Sequence, residues 1–323
     1  MVVFHNNCFP LLNIIVINDS HNTLSLSLDL SSTFAIFMTF CLILQRWYTN
    51  NMNIITWTRR AADTLANALI PSSLLDAELI LAETLRKPRT YLHAHPEEEI
   101  DPRRVDIADA RLSLRLDRVP LAYILGYKEF YGRKFFVSPE VLVPRPESED
   151  MISLFLEMTP ETLAHKVLID VGTGSGCLGI TAALERPDLR VILSDISKDA
   201  LSVARKNCDA LAAQATIQCQ SLLRGQIEPV DYIFANLPYV DKNWEVSPEL
   251  RHEPSMALFA ENEGLKLIKE LLMQGPKHLT ANGLLFIEAD PVQHDTIIAA
   301  AEENRLQLVN KRGYILVLQL IST

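Results

Sequence analysis

Asn236-Leu237-Pro238-Tyr239 directly follows the apolar run Val230-Asp231-Tyr232-Ile233-Phe234-Ala235, which reads as a buried strand, so an amide side chain stands at a strand's carboxyl end. Open α/β sheets place their chemistry there. Upstream, Val167-Leu168-Ile169-Asp170-Val171 runs into Gly172-Thr173-Gly174-Ser175-Gly176 and then into helical patterning, a second strand that ends in a glycine-rich loop. Glycines let such a loop turn sharply and approach a ligand with no Cβ in the way. Taken alone, the Gly-x-Gly-x-Gly pattern serves dinucleotide and adenosylmethionine sites alike. The next strand, Arg190-Val191-Ile192-Leu193-Ser194, ends at Asp195, about 20 residues beyond the loop, where an acid can accept both hydroxyls of a ribose. Its competing role is a helix cap ahead of Ser197-Lys198. Asp170 is a candidate to hold a methionine ammonium, directly or through water, because a buried ammonium needs a carboxylate partner.

The Asn236 turn decides between hydride and methyl transfer. An amide nitrogen is a poor nucleophile because its lone pair is delocalised, so a catalyst must favour the form in which that lone pair is available. Two acceptors aimed at the N–H bonds can do this, and the Asn236 side-chain oxygen and the Leu237 carbonyl are the candidates. Pro238 would stiffen the turn and Tyr239 would pack against the planar group. Together these features suggest methyl transfer from S-adenosylmethionine to a planar nitrogen. The plainer alternative is that residues 236–239 are only a turn.

The elements that must position these residues follow from periodicity. From Lys166 on, strands are expected near 166–171, 190–194, 214–219, 230–235, 283–288, 306–310 and 314–319. Helices are expected near 177–185, 198–212, 263–280 and 291–304. Such alternation makes a mostly parallel sheet covered on both faces, and the closeness of the last two strands allows the final one to insert antiparallel. Before it, residues 52–125 carry helical spacing, for example Leu75, Leu79 and Ala82, then Leu112, Leu116 and Val119. Ser73 and Asp76 read as a capping box after Pro71, and Asp101-Pro102 as a cap with proline in the first turn. This helical domain carries no catalytic candidates and reads as a packing or partner-binding module. Residues 126–150 change character: Phe130 to Val137 reads as a hairpin around Gly132, and the prolines beside Arg145 fix an extended backbone. The expected fold is α/β, a seven-stranded, mostly parallel Rossmann-like methyltransferase sheet over residues 151–323, with a small N-terminal helical domain joined by a β-hairpin linker.

The 323 residues are 48% hydrophobic and 22% charged, ordinary for a globular chain with a sizeable core. A formal charge of −10 argues against a protein that grips nucleic acid through phosphates. The cysteines Cys8, Cys41, Cys177, Cys208 and Cys219 form no Cys-x-x-Cys pair and no zinc-type spacing, so reduced thiols in a cytosolic protein are expected. His93-Ala94-His95, followed by Pro96 and three glutamates, reads as a solvated loop, and no metal is expected. The first 51 residues differ from the rest. Leu30 to Leu44 is apolar over about 15 residues, short for a membrane span, and the first basic residue is Arg46, so no signal-peptide pattern precedes it. We expect translation to begin at Met52 and residues 1–51 to be a non-native or disordered extension; a membrane anchor is the alternative.

From Asn53 to Thr323 the chain resembles the release factor glutamine methyltransferases, also called HemK-like. The resemblance rests on Pro120-Leu121-Ala122-Tyr123-Ile124-Leu125-Gly126, on Phe130 to Val137, on Val141 to Glu149 around Pro144-Arg145-Pro146-Glu147, on Asp170 to Cys177, on the Asn236 turn, and on Glu253-Pro254 with Ala257-Leu258. It implies methylation of the side-chain nitrogen N5 of the glutamine in the Gly-Gly-Gln motif of peptide-chain release factors, by direct in-line displacement from S-adenosylmethionine. It further implies a helical domain that recognises the substrate, a cytoplasmic monomer, and no direct contact with nucleic acid or membrane. The cofactor-binding residues it implies are Asp170, Gly172, Thr173, Gly174, Ser175, Gly176, Asp195, Ser221, Leu222 and Asn236; the catalytic ones are Asn236, Leu237, Pro238 and Tyr239. Two positions depart from the family pattern. Leu237 stands where the family has proline, and since only its carbonyl is needed, Leu237→Pro is expected to be neutral or beneficial. Ser221-Leu222 stands where the family has an acid and a bulky residue, which removes a charged acceptor for adenine. The rivals are an amino-methyltransferase acting on a nucleic-acid base and a binding protein that kept the fold and lost catalysis.

Overall fold

The computed structural model describes residues 52–321, and the expectations for residues 1–51 lie outside the described residues. From Met52 on, the chain forms one compact unit. It opens with helices α1 (Ile54–Asn67), α2 (Ser73–Leu85), α3 (Arg89–Ala94), α4 (Pro102–Leu116) and α5 (Leu121–Leu125). In α1, Ile54, Trp57, Ala61 and Leu65 fall three or four residues apart and are buried on one stripe. Asn53 caps it by accepting the Thr56 N–H, and Asp101 caps α4 by accepting from Arg103 N–H with Pro102 in the first turn, as the sequence suggested. The capping box expected of Ser73 and Asp76 does not form. Ser72 precedes α2 without a side-chain cap, and Asp76 is buried, taking Arg115 Nε of α4 at 2.7 Å. A guanidinium left unpaired in that interior would cost more than an uncapped N–H at the surface, so the arginine takes the acid.

Gly126, at φ 81°, closes α5 in the left-handed region, and the hairpin follows as β1 (Tyr127–Phe130) and β2 (Arg133–Phe136). Tyr131 and Gly132 between them both have positive φ, 49° and 72°, the two-residue turn whose twist matches that of the strands. Asn207 ties this hairpin to the sheet. Its side chain accepts from Phe136 N–H at 2.7 Å and donates to the Phe136 carbonyl at 3.0 Å and to the Ser175 carbonyl, in the glycine loop, at 2.8 Å.

Then come α6 (Glu149–Met158), β3 (Val167–Val171), α7 (Cys177–Glu185), β4 (Arg190–Asp195), α8 (Lys198–Leu211), β5 (Ala215–Cys219) and β6 (Val230–Ala235). A short pair, β7 (Val240–Asp241) and β8 (Phe259–Ala260), encloses α9 (Ser255–Leu258). The chain ends with α10 (Lys266–His278), β9 (Leu279–Glu288), α11 (His294–Glu303), β10 (Leu306–Arg312) and β11 (Ile315–Leu320). The sheet order is β10-β11-β9-β6-β3-β4-β5, parallel except for β11, which runs antiparallel between β10 and β9. This is the seven-stranded arrangement expected, including the antiparallel insertion, because the link from β10 to β11 is too short for a crossover. The central strands β3 and β6 are buried throughout, with an apolar layer on each face, which is why they read as hydrophobic runs interrupted only by Asp170 and Asp231.

Arg115 also reaches Glu249 at 3.2 Å, and Arg118 meets the same carboxylate at 3.3 Å, so the helical segment is fastened to the loop that precedes α9. With Arg115 and Asp76 both almost fully buried, Arg115→Ala should lower the unfolding free energy by about 3–5 kcal/mol. Urea titration of the two proteins measures this, and a loss below about 1 kcal/mol, the range of a surface pair, would show the pair to be well hydrated.

Candidate active site

A cleft of about 310 Å³ opens at the carboxyl ends of β3, β4 and β6. The glycine loop forms its floor. Gly172 and Thr173 both donate their N–H groups to the Ser194 carbonyl at 2.9 Å, which hooks the loop to β4. Gly172, Gly174 and Gly176 adopt φ of 71°, 54° and 83°, a region where side-chain-bearing residues are strained. At Gly172 a Cβ would also come within 3.0 Å of Leu237 Cδ2.

Thr173, Ser175 and Asp195 line the cleft together with Gly172 and Gly174. Asp195 accepts from Gly174 N–H at 3.0 Å through Oδ2 and from Ser197 N–H at 2.9 Å through Oδ1. The cap of α8 is Ser197, which accepts from Ala200 N–H, so Asp195 is not the helix cap. Each of its oxygens keeps a further lone pair for a ligand hydroxyl. Ser221 and Leu222 form the far wall, beside Gln220. Gly176 stands at the start of α7, outside the lining.

Of the two ways expected for Asp170 to hold an ammonium, directly or through water, its placement disfavours the direct one. It lies buried beneath the loop, outside the cleft lining, with Oδ2 accepting from Thr173 Oγ1 at 2.5 Å and from Gly179 N–H at 3.0 Å. Burial pushes its pKa up to about 6; those two bonds oppose the shift and the Asp195 charge adds to it. It shapes the loop from below.

Asn236, Leu237 and Pro238 line the side opposite the loop. Asn236 Nδ2 donates to Ser148 Oγ at 3.1 Å, which leaves Oδ1 as the end of the amide available to a ligand. Leu237 is buried and packs within the apolar layer that includes Val171 and Leu265. A proline ring cannot fill that space as an isobutyl group does, so this packing stands against the expectation that Leu237→Pro is neutral or beneficial, even though the carbonyl stays. Tyr239 is corrected. Rather than facing a planar substrate, it turns behind the cleft, its hydroxyl donating to Glu288 Oε1 at 3.3 Å and its carbonyl accepting from Gln293 Nε2 at 2.9 Å.

Sequence reasoning missed Ser148 and Glu288. A carboxylate that ends the apolar strand Leu284-Leu285-Phe286-Ile287, level with Asn236, was the signal for Glu288. Ser148, just before α6, lies within the Val141 to Glu149 segment that carries the resemblance, but nothing in its residue type pointed to Asn236. Glu253 holds the Pro-Arg-Pro segment: its buried carboxylate accepts from Val143 N–H at 3.0 Å and from Arg145 at 2.6 Å, a structural arrangement.

The sequence profile of the PrmC N-terminal domain matches residues 56–126, and that of the methyltransferase small domain matches residues 149–253. The release factor glutamine methyltransferase of Koribacter versatilis is 40% identical over 243 residues, covering 72% of this chain and 84% of that one. The chain belongs to the release factor glutamine methyltransferase family. The relative named so in Leptospira interrogans is 34% identical over 255 residues, 76% of this chain and 89% of its own. A bifunctional methyltransferase of Rickettsia felis is 32% identical over 272 residues, and there the chain spans only about half, 51%, of the relative's length. Among the described residues, no helix is long and apolar enough to cross a membrane and no His, Cys, Asp and Glu group could hold a metal.

Asp195→Ala should weaken S-adenosylhomocysteine binding by about 1.5–3 kcal/mol, the range for a charged hydrogen-bond acceptor. Titration calorimetry measures it, and unchanged affinity would move the ribose site away from Asp195.

Proposed function

We propose that this chain transfers a methyl group from S-adenosylmethionine to the side-chain nitrogen N5 of the glutamine in the Gly-Gly-Gln motif of peptide-chain release factors. The observation that carries this reading is Asn236 at the end of β6, tethered through its nitrogen so that its oxygen is left for a ligand. The family membership supports the same substrate.

The residues present suit the cofactor. Gly172 and Gly174 let a ligand approach the backbone, Asp195 offers acceptors for a ribose, and the wall around Leu178, Leu222 and Leu142 is apolar. Ser221 presents a neutral hydroxyl where the family pattern has an acid. When bound, S-adenosylmethionine supplies an electrophilic methyl group on a sulfonium centre. The work of the chain is to hold the glutamine amide. Asn236 Oδ1 and the Leu237 carbonyl accept its two N–H bonds, and acceptors on both favour the form whose lone pair is free, an electrostatic effect aimed at the transition state. Pro238 keeps Leu237 extended so that the carbonyl is fixed before the substrate arrives. The apolar walls limit water beside the reacting nitrogen.

A second cleft, of about 560 Å³, lies between the helical segment, the hairpin and the loop before α9, and it shares Arg145 with the first. We assign it to the release factor, with the glutamine loop passing Arg145 into the methyl-donor cleft. The protein then acts as a cytoplasmic monomer whose partner is a protein, in keeping with its net charge of −10.

Asn236→Ala removes one of the two acceptors, so turnover at saturating S-adenosylmethionine should fall about 100-fold or more. Mass spectrometry of a co-expressed release factor reads the product as one added methyl on the Gly-Gly-Gln glutamine. Near-normal turnover by the variant would remove this turn from the mechanism, and absence of the methyl with the wild-type chain would reject the substrate.

A further inference from the structure

Behind Asn236, at the end of β9, Glu288 is 1% exposed and lies outside the cleft lining. Its Oε1 accepts from the Tyr239 hydroxyl, while Oε2 is buried with no hydrogen-bond partner. The Ser148 hydroxyl and the Asn236 amide, themselves joined at 3.1 Å, stand beside the carboxylate as neutral donors, and no cation is among the groups acting on it. A buried carboxylate that meets only neutral donors is costly in such a place, and the reaction described above gives it no direct role.

We propose that ionised Glu288 is a positioning residue, holding the Asn236 amide with its N–H end inward and its oxygen toward the cleft. The activity readout of this inference rests on the function proposed above. The two ends of an asparagine amide are nearly alike in shape, so only hydrogen-bond partners decide which way it points. Ser148 cannot decide, because a hydroxyl both donates and accepts. An ionised carboxylate only accepts, and so it selects the N–H end. Once protonated, Glu288 gains a donor that Asn236 Oδ1 can satisfy. The amide is then free to turn, presenting N–H groups to the N–H groups of the substrate.

Burial pushes the Glu288 pKa up to about 7, opposed by Ser148, Tyr239 and Asn236 and reinforced by the Glu147 charge ahead of α6. The other groups around this cluster are the Cys177 thiol on α7, pushed up to about 12, Tyr314, and Arg145, which acts on Tyr239. Asp170 on β3, raised to about 6, is a second buried carboxylate that titrates in a similar range. His294 on α11 is turned to the Ala289 carbonyl. A carboxyl whose folded pKa is above its ordinary value favours the folded state when protonated, and that contribution is lost as pH rises through about 7.

Glu288→Gln keeps the shape, removes the ionisation and restores a group that satisfies either end of the amide. At pH 8 the variant should melt at a higher temperature than the wild type and yet turn over about tenfold more slowly, with unchanged KM for the release factor and unchanged S-adenosylhomocysteine affinity. Wild-type kcat should fall as pH drops through about 7, and this limb should be missing in the variant. A readout independent of the substrate is the Asn236 side-chain amide resonance, assigned by its disappearance in Asn236→Ala. It should titrate with a midpoint near 7 in the wild type and stay constant in Glu288→Gln. The proposal is overturned if the resonance does not titrate, if turnover and melting temperature fall together as for a packing residue, or if the variant keeps the acid limb. If the wild type leaves the release factor unmethylated while the resonance still titrates, the substrate assignment fails and the positioning role stands.

Discussion

Everything at this site depends on the register of four neighbouring strands. Val171 of β3 pairs with Ser194 of β4 and with Ala235 of β6, and Ala235 pairs in turn with Ile287 of β9. The next residue on each strand is therefore Asp195, Gly172, Asn236 and Glu288, a single row across the carboxyl edge of the sheet. Parallel pairing makes this possible, since all four chains leave the sheet at the same end. A slip of one residue in any pair would exchange that strand's two faces and take its contribution out of the row. The buried apolar layers on both sides of β3 and β6 oppose such a slip, so the packing of the core is also what keeps the chemistry aligned.

The buried carboxylates of the central strands divide by whether a cation reaches them. Asp231, at the opposite end of β6, is penalised by burial, but Lys166, Val167 N–H and Thr280 more than compensate and its pKa is held below the usual range. Asp170, deeper, has a hydroxyl and one N–H, and burial wins. Glu288 has hydroxyls and an amide but no cation, and burial wins there as well. Charges that support the fold are thus provided with partners, while the one behind Asn236 is left poised between its two forms.

The segment from Glu249 to Ala257 links the helical part to the cleft. Glu249 is gripped by Arg115 and Arg118, and His252 Nε2 lies 2.9 Å from the Asp117 carbonyl. A few residues on, Glu253 fixes Val143 and Arg145, and Pro254, Met256 and Ala257 form part of the cleft wall. The helical segment is therefore part of what shapes the site, although it contributes no residue to the row.

Local pattern determined much of this protein. The strands, the antiparallel insertion of β11, the hairpin at Gly132, the glycine loop and the Asn236 turn could each be read in a few adjacent residues, because periodicity, turn chemistry and strand ends are short-range properties. Tertiary structure decided what depends on partners far along the chain. Asp76 had the spacing of a cap and became the mate of Arg115; Tyr239 had the position of a substrate contact and turned toward Glu288; the Leu237 side chain looked replaceable by a proline ring and is packed against Gly172. Ser148 and Glu288 came to Asn236 from the start of one helix and the end of another strand. Such meetings are set by sheet register and by the cost of burying an unpaired charge, and neither quantity exists until the chain has folded.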